Sequence, residues 1–315
     1  MHRGPFSAKA GLLASLAGLI ALFATLTGCG SYRPVGIPSM PPAALPTYGL
    51  GDSYQLSDGS NDSVTAADDD VVHWRDNDGA FVTSRDILAP RLTWADSATL
   101  GERGISGDPS LLFPLRPAKS VKFTATRTVH PRRGGQQVTV QEDWVCDVIG
   151  AVRVTTGAGD FDTWRIDCTM RETPAVTGNG LIQRRFYYAP DIGFYVRTDE
   201  AVGDGPFQIT ELTGYTSSDL VLADSALRQR SYALQRALET QLSGSQAKWS
   251  DADTGAAGIV TLVDTKHSAQ YGWCRDFAER IQSSGRAYSL HGTGCRDPAK
   301  IWDIVAMAPG KGGAN

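Results

Sequence analysis

The five cysteines are the residues of this chain best suited to covalent chemistry. Cys29 ends the run Leu26-Thr27-Gly28-Cys29, directly after an apolar stretch. Made the first residue by cleavage, its sulfur and its amine could both carry acyl chains. Cys146, Cys168, Cys274 and Cys295 remain, an even set that suits two disulfides in an oxidising compartment. Four cysteines allow three pairings. The local one, Cys146 with Cys168 and Cys274 with Cys295, closes two loops of about twenty residues, each worth roughly 3 kcal/mol. Zinc is the weaker reading, because there is no C-x-x-C pair and the histidines are scattered. Cys274 with His267 or His291 imitates a cysteine–histidine nucleophile, but a bond to Cys295 would remove the thiolate that this chemistry needs. No G-x-S-x-G elbow, H-E-x-x-H or phosphate loop occurs. The acidic run Asp68, Asp69, Asp70, Asp76 and Asp78 fails as a calcium loop: with Gly79 as its turn glycine, Trp74 and Arg85 stand where acids are required. These residues read as solvated turns. We assign no catalytic residue, no metal and no cofactor. Carboxylate pairs for glycoside hydrolysis have a spacing that only the fold reveals.

The elements around Cys29 fix where such a chain would go. Arg3 and Lys9 precede a wholly apolar or small run over residues 11–24, followed by a small-residue exit, which is the pattern of a secretory signal peptide. The apolar core is short for a bilayer span, which takes roughly 20 residues. Leu26, Thr27, Gly28 and Cys29 resemble the cleavage site of bacterial lipoproteins. That resemblance implies a signal peptide over residues 1–28, lipid attachment at Cys29, a membrane partner reached through that lipid and, with Gly30 rather than Asp next in line, outer-membrane sorting. Several acyl chains on one residue hold firmly where a single chain does not. Pro34, Pro38, Pro41, Pro42 and Pro46 favour an extended tether, placed over residues 29–48. At about 3.1 Å per residue it would set the folded part about 50 Å from the lipid.

The chain carries 30 Lys+Arg against 34 Asp+Glu, a net charge of −4. Without residues 1–28, which hold Arg3 and Lys9, the count is 28 against 34, or −6. An acidic balance argues against nucleic acid as a partner.

After the tether, short strands and turns predominate. Strands are expected at residues 53–56, 63–67, 71–75 and 80–84, with Asn77-Asp78-Gly79 as a hairpin turn. Residues 86–115 read as a loop-rich link punctuated by Pro90, Gly101, Gly104, Gly107, Pro109 and Pro114. From residue 120 to 215 an antiparallel meander is expected, one face packed and one wet. Residues 224–242 form the one good helix, with Leu227, Leu234, Leu238 and Leu242 on one stripe and Gly244 past its end. The fold class is mainly β: antiparallel sheet structure over residues 49–216, a linking helix over 217–245, a small β domain over 246–308 and a disordered tail over 309–315.

Two resemblances carry further. Asp160-Phe161-Asp162-Thr163-Trp164 with Phe186-Tyr187-Tyr188-Ala189-Pro190-Asp191-Ile192-Gly193 resembles a recurrent β domain of proteobacterial envelope proteins of unknown function, over residues 112–215. Gly272-Trp273-Cys274-Arg275-Asp276-Phe277, Gly292-Thr293-Gly294-Cys295-Arg296-Asp297 and Ile301-Trp302-Asp303-Ile304-Val305 resemble the C-terminal domain of rickettsial-type surface-antigen lipoproteins. This second match covers about a fifth of the chain. Gly294 replaces the family's usual Ala, and Ala299-Lys300 its usual Asp-Gly turn. The resemblance implies an antigenic, envelope-associated protein rather than an enzyme. On the residues alone, neighbouring strands bearing Cys274 and Cys295 would staple a small sheet. Arg275 and Arg296, on its opposite face, would pair with Asp276, Asp297 or Asp303 at the surface or offer an anion contact. The reading is therefore a non-enzymatic outer-membrane lipoprotein with an envelope protein or glycan partner. Its alternatives are a carrier of an apolar ligand on the middle sheet, or a cell-wall hydrolase.

Overall fold

The computed structural model describes residues 40–310 apart from 69, 87, 89, 269–271 and 297–300. The expected signal peptide, Cys29, Asp297, Ala299-Lys300 and residues 311–315 lie outside the described residues.

Twelve antiparallel strands follow one another around a closed barrel. They are β1 (Ser53–Leu56), β2 (Asn61–Ala67), β3 (Val71–Arg75), β4 (Ala80–Ser84), β5 (Thr93–Ala95), β6 (Thr99–Ser106), β7 (Ser120–Pro131), β8 (Val138–Thr156), β9 (Gly159–Thr173), β10 (Leu181–Ala189), β11 (Phe194–Val202) and β12 (Gln208–Thr216). Each pairs with its chain neighbour, and β1 closes on β12 with Ser53 opposite Thr216. The period-2 pattern decides which side is dry. In β8, Val140, Glu142, Trp144, Cys146 and Val148 are buried while Thr139, Gln141, Asp143 and Asp147 are exposed. The interior is filled by aromatic rings: Phe123 stacks on Trp144 at 5.6 Å, Tyr54 on Phe194 at 3.9 Å, and Tyr48 meets Trp74 edge-on at 5.1 Å.

Helix α1 (Asp224–Thr240) packs on a second sheet in the order β13 (Gln246–Ser250), β14 (Ala257–Ser268), β15 (Gly272–Ser283), β16 (Arg286–Arg296) and β17 (Trp302–Pro309). Leu234, Ala237 and Leu238 of the helix meet Trp249, Val260, Leu262, Phe277, Ile281, Leu290 and Met307 in one core. Among the described residues the fold is thus mainly β with one α-helix and a small C-terminal sheet, as the sequence predicts.

Four boundaries differ from the expectation. Residues 86–115 are not simply a link: they hold β5, β6 and a short 3-10 turn, Pro109–Leu112. Gly101, which reads as a loop marker, is a strand residue over which the Trp94 ring lies; a Cβ there would come 1.8 Å from the ring. The proline-rich tether ends earlier than residue 48. Ala43 exchanges two backbone hydrogen bonds with Leu115, and Tyr48 is buried in the barrel core. Helix α1 does not merely link two domains but belongs to the C-terminal core, and it stops at Thr240, so Leu242 is left 80% exposed. At the other end, Pro309 pairs with Leu290 and the Gly310 amide donates to Ser289, so residues 309 and 310 belong to the sheet and not to the expected disordered tail.

Candidate functional site

The C-terminal sheet gathers most of the residues that the sequence singles out. Cys274 and Cys295 face each other across β15 and β16 and are bonded, with Cα atoms 3.9 Å apart. Cys146 and Cys168 are likewise opposite and bonded across β8 and β9, inside the barrel. Cys274 is therefore no nucleophile. His267 packs edge-on against Trp273 at 5.3 Å, and His291 lies opposite Ala278.

Arg275 does alternate away from Cys274, but it faces the helix and not solvent, and it is only 7% exposed. Its Nη1 donates to the Leu238 carbonyl at 2.8 Å and its Nε to Thr265 Oγ1 at 3.1 Å. It satisfies carbonyls that the end of α1 leaves open, where a cation is also favoured by the helix dipole. Arg296 donates to Glu239 at 2.6 Å, and the Trp302 indole reaches the other oxygen of that carboxylate at 2.8 Å. Arg275 is thus a buried helix-docking residue, which corrects the expectation that it would pair at the surface or offer an anion contact, whereas Arg296 does pair at the surface, with Glu239 of the helix. Asp276 is held instead by Lys266 and Thr293. The glycines of Gly292-Thr293-Gly294 serve the same docking. A Cβ on Gly292 would meet the Phe277 ring at 2.4 Å, and one on Gly294 would meet Leu238 at 2.8 Å. Gly294 in place of the resembled family's Ala lets the helix lie close.

Several charged groups escape a reading by motif. Under α1, Arg230 and Glu279 pair at 2.8 Å, and the Trp249 indole donates to the same carboxylate at 2.8 Å. Inside the barrel, Glu142 accepts Arg103 Nε at 3.0 Å and Arg127 Nε at 2.7 Å, and Arg127 continues to Glu172 at 2.6 Å. Arg184 pairs with Glu200. These carboxylates are saturated by guanidinium groups and do not form an acid–base pair for hydrolysis. Each announces itself in the sequence as a charge in the apolar phase of its element: Glu142 between Val140 and Trp144, Glu279 between Phe277 and Ile281, Arg230 between Leu227 and Leu234.

Asp52 and Asp62 sit where β1 and β2 begin. Asp52 accepts from the Gly49 and Ser218 amides, tying the entry to β1 to the exit from β12; burial raises its carboxyl, against those hydrogen bonds. Burial also pushes Asp62 up to about 7; Arg91 opposes this, while Asp76 and Asp58 add to it. Among the described residues, no group of three or more His, Cys, Asp and Glu is placed to hold a metal.

Two cavities adjoin the C-terminal sheet. One is a groove of about 1600 Å³ lined by Tyr232, Arg236, Lys248, Arg280, Ser289 and His291 among others. The second, about 730 Å³, lies between the sheet and the barrel, with Asn61, Ser63 and Asp76 on one wall and His291 and Thr293 on the other.

No family model matches the chain. A stretch of 71 residues, 22% of the chain, is 35% identical to the 17 kDa surface antigens of Rickettsia conorii and Rickettsia rickettsii. The corresponding antigen of Rickettsia prowazekii is 34% identical over the same length. Each match covers 45% of the relative, so the chain spans less than half the length of these curated relatives. Among solved structures, the hypothetical lipoprotein YmcC from Escherichia coli K12 covers 54% of this chain and 84% of its own, at 9% identity and a TM-score of 0.37. An exported protein with a YmcC-like fold from Bacteroides fragilis covers 56% of this chain and 100% of its own, at 12% identity and a TM-score of 0.34. Likeness at that level carries no argument about this fold or its role.

Proposed function

We propose that this chain is a non-enzymatic envelope protein, anchored to the outer membrane by lipid on Cys29, with a structural or interaction role. The observation that carries the reading is the pair of buried disulfides, Cys146–Cys168 and Cys274–Cys295, which suit an oxidising compartment outside the cytosol. The lipoprotein-like run at Leu26 to Cys29 and the stretch shared with rickettsial surface antigens support the same address. The barrel fits a water-exposed body. A lipid-facing barrel is apolar outside and polar within, whereas β8 here is polar outside and its core is aromatic. Among the described residues, no helix is long and apolar enough to cross a membrane. The rings that fill the barrel occupy the space in which a carrier would place an apolar ligand.

The test is cell fractionation with trapping of free thiols before any reductant is added. Recovery with outer membranes, with all four of Cys146, Cys168, Cys274 and Cys295 protected, is the expected result. Recovery in the cytosolic fraction with these thiols alkylated would refute the proposal.

A further inference from the structure

The face of the C-terminal sheet turned away from α1 has an unusual charge distribution for an acidic chain. Trp249, Val260, Glu279 and Leu290 point to the helix, so their neighbours Lys248, Ile259, Arg280 and Ser289 point the other way. The register sets these four side by side: Lys248 opposite Ile259, Ile259 opposite Arg280, and Arg280 opposite Ser289. His291 stands one step along the same face, opposite Ala278. The outward positions of β13, β14 from Ala257 to Thr261, β15 from Ala278 to Gln282, and β16 up to His291 include no carboxylate. Toward the β14–β15 hairpin, Asp276 is neutralised by Lys266. Lys248, Arg280 and His291 are exposed and have no ion pair or hydrogen bond among the described residues. All three are among the residues that line the groove of about 1600 Å³.

From this geometry we infer that the groove binds a linear acidic polysaccharide, one carrying a carboxylate on each disaccharide. Lys248 and Arg280 stand two strand spacings apart, about 10 Å, which is close to the length of a disaccharide repeat, so successive acidic groups of one chain reach both cations. Ser289 and Gln246, which line the same groove, supply hydroxyl and amide partners for the sugar hydroxyls. A groove suits a chain better than it suits the plane of a bilayer. The inference deepens the envelope reading, since it names the partner class of a protein placed there. Its test does not depend on acylation, however, so either can fail while the other stands.

The experiment measures binding of the full-length chain to hyaluronate, which has one carboxylate per disaccharide, with dextran, polyglutamate and phosphatidylglycerol vesicles as competitors for the interpretation. Hyaluronate should bind and weaken as salt is added, and dextran should not bind. The exposed double variant K248Q/R280Q should bind hyaluronate about tenfold or more weakly, as expected for loss of a charge-assisted contact. The barrel-surface variant R153Q, with an unchanged net count of groove cations, should bind as the parent does. The proposal is overturned if hyaluronate fails to bind, if both variants behave alike, or if polyglutamate or the vesicles bind at the groove as tightly. Melting curves and intact disulfides show that the double variant is folded.

Discussion

Arg230 and Glu279 show how much one pair of side chains can carry. Both are buried beneath α1, with the Trp249 indole completing the carboxylate's partners. Removing one member leaves an uncompensated charge in a dry core, so Glu279→Ala should cost about 3–5 kcal/mol. Urea titration of the variant checks this, and a loss under 1 kcal/mol would contradict it. Asp62 is the converse, a buried carboxyl that the fold holds better protonated than charged. Its partners are few: Arg91 favours the charge, while Asp76 and Asp58 oppose it. Because its folded value, about 7, lies above the ordinary 3.8, its stabilising contribution is full below about pH 4 and is lost as pH rises through 7. Asp62→Asn should therefore gain stability relative to the parent between pH 5 and pH 8, by about 2–3 kcal/mol. Paired melts at the two pH values measure that difference directly, and an unchanged gap would show that Asp62 is solvated.

The second sheet depends on glycines that make room. Gly292→Ala drives a methyl into the Phe277 ring and toward the Ala306 carbonyl, 2.9 Å away. Overpacking of this kind should cost about 1–3 kcal/mol, and the melting temperature reports it; a variant as stable as the parent would mean that the strand shifts freely. Alternation made most strands legible. Val121, Phe123 and Ala125 place β7, and the leucine stripe places α1 to within two residues at its C-terminal end. The strands β5 and β6 were not legible, because glycine and proline punctuate loops and also clear space for rings, and a local pattern does not say which. Arg275 failed for a related reason. Alternation gives the face that a side chain takes but not what covers it, and here the cover is a helix whose terminal carbonyls need a donor. Barrel closure is likewise set by β1 meeting β12, a pairing some 160 residues apart that no local signal encodes.

The whole molecule is a ring-filled barrel joined to a helix-backed sheet, with a cystine in each. Leu50, from the segment entering β1, packs in the C-terminal core, and its amide donates to Leu220 at 2.6 Å, so the two parts share buried contacts. Along β8 the outer side is polar, and inside the barrel Glu142 is matched by Arg103 and Arg127. The proposed envelope address turns on the chain ahead of Met40, and there on one thiol. Mass spectrometry of the amino-terminal peptide from cell membranes is the most direct test. We expect residues 1–28 to be absent and Cys29 to be the first residue, carrying a thioether-linked diacylglycerol. An unmodified Cys29, within an intact leader or after cleavage at another site, would contradict the account.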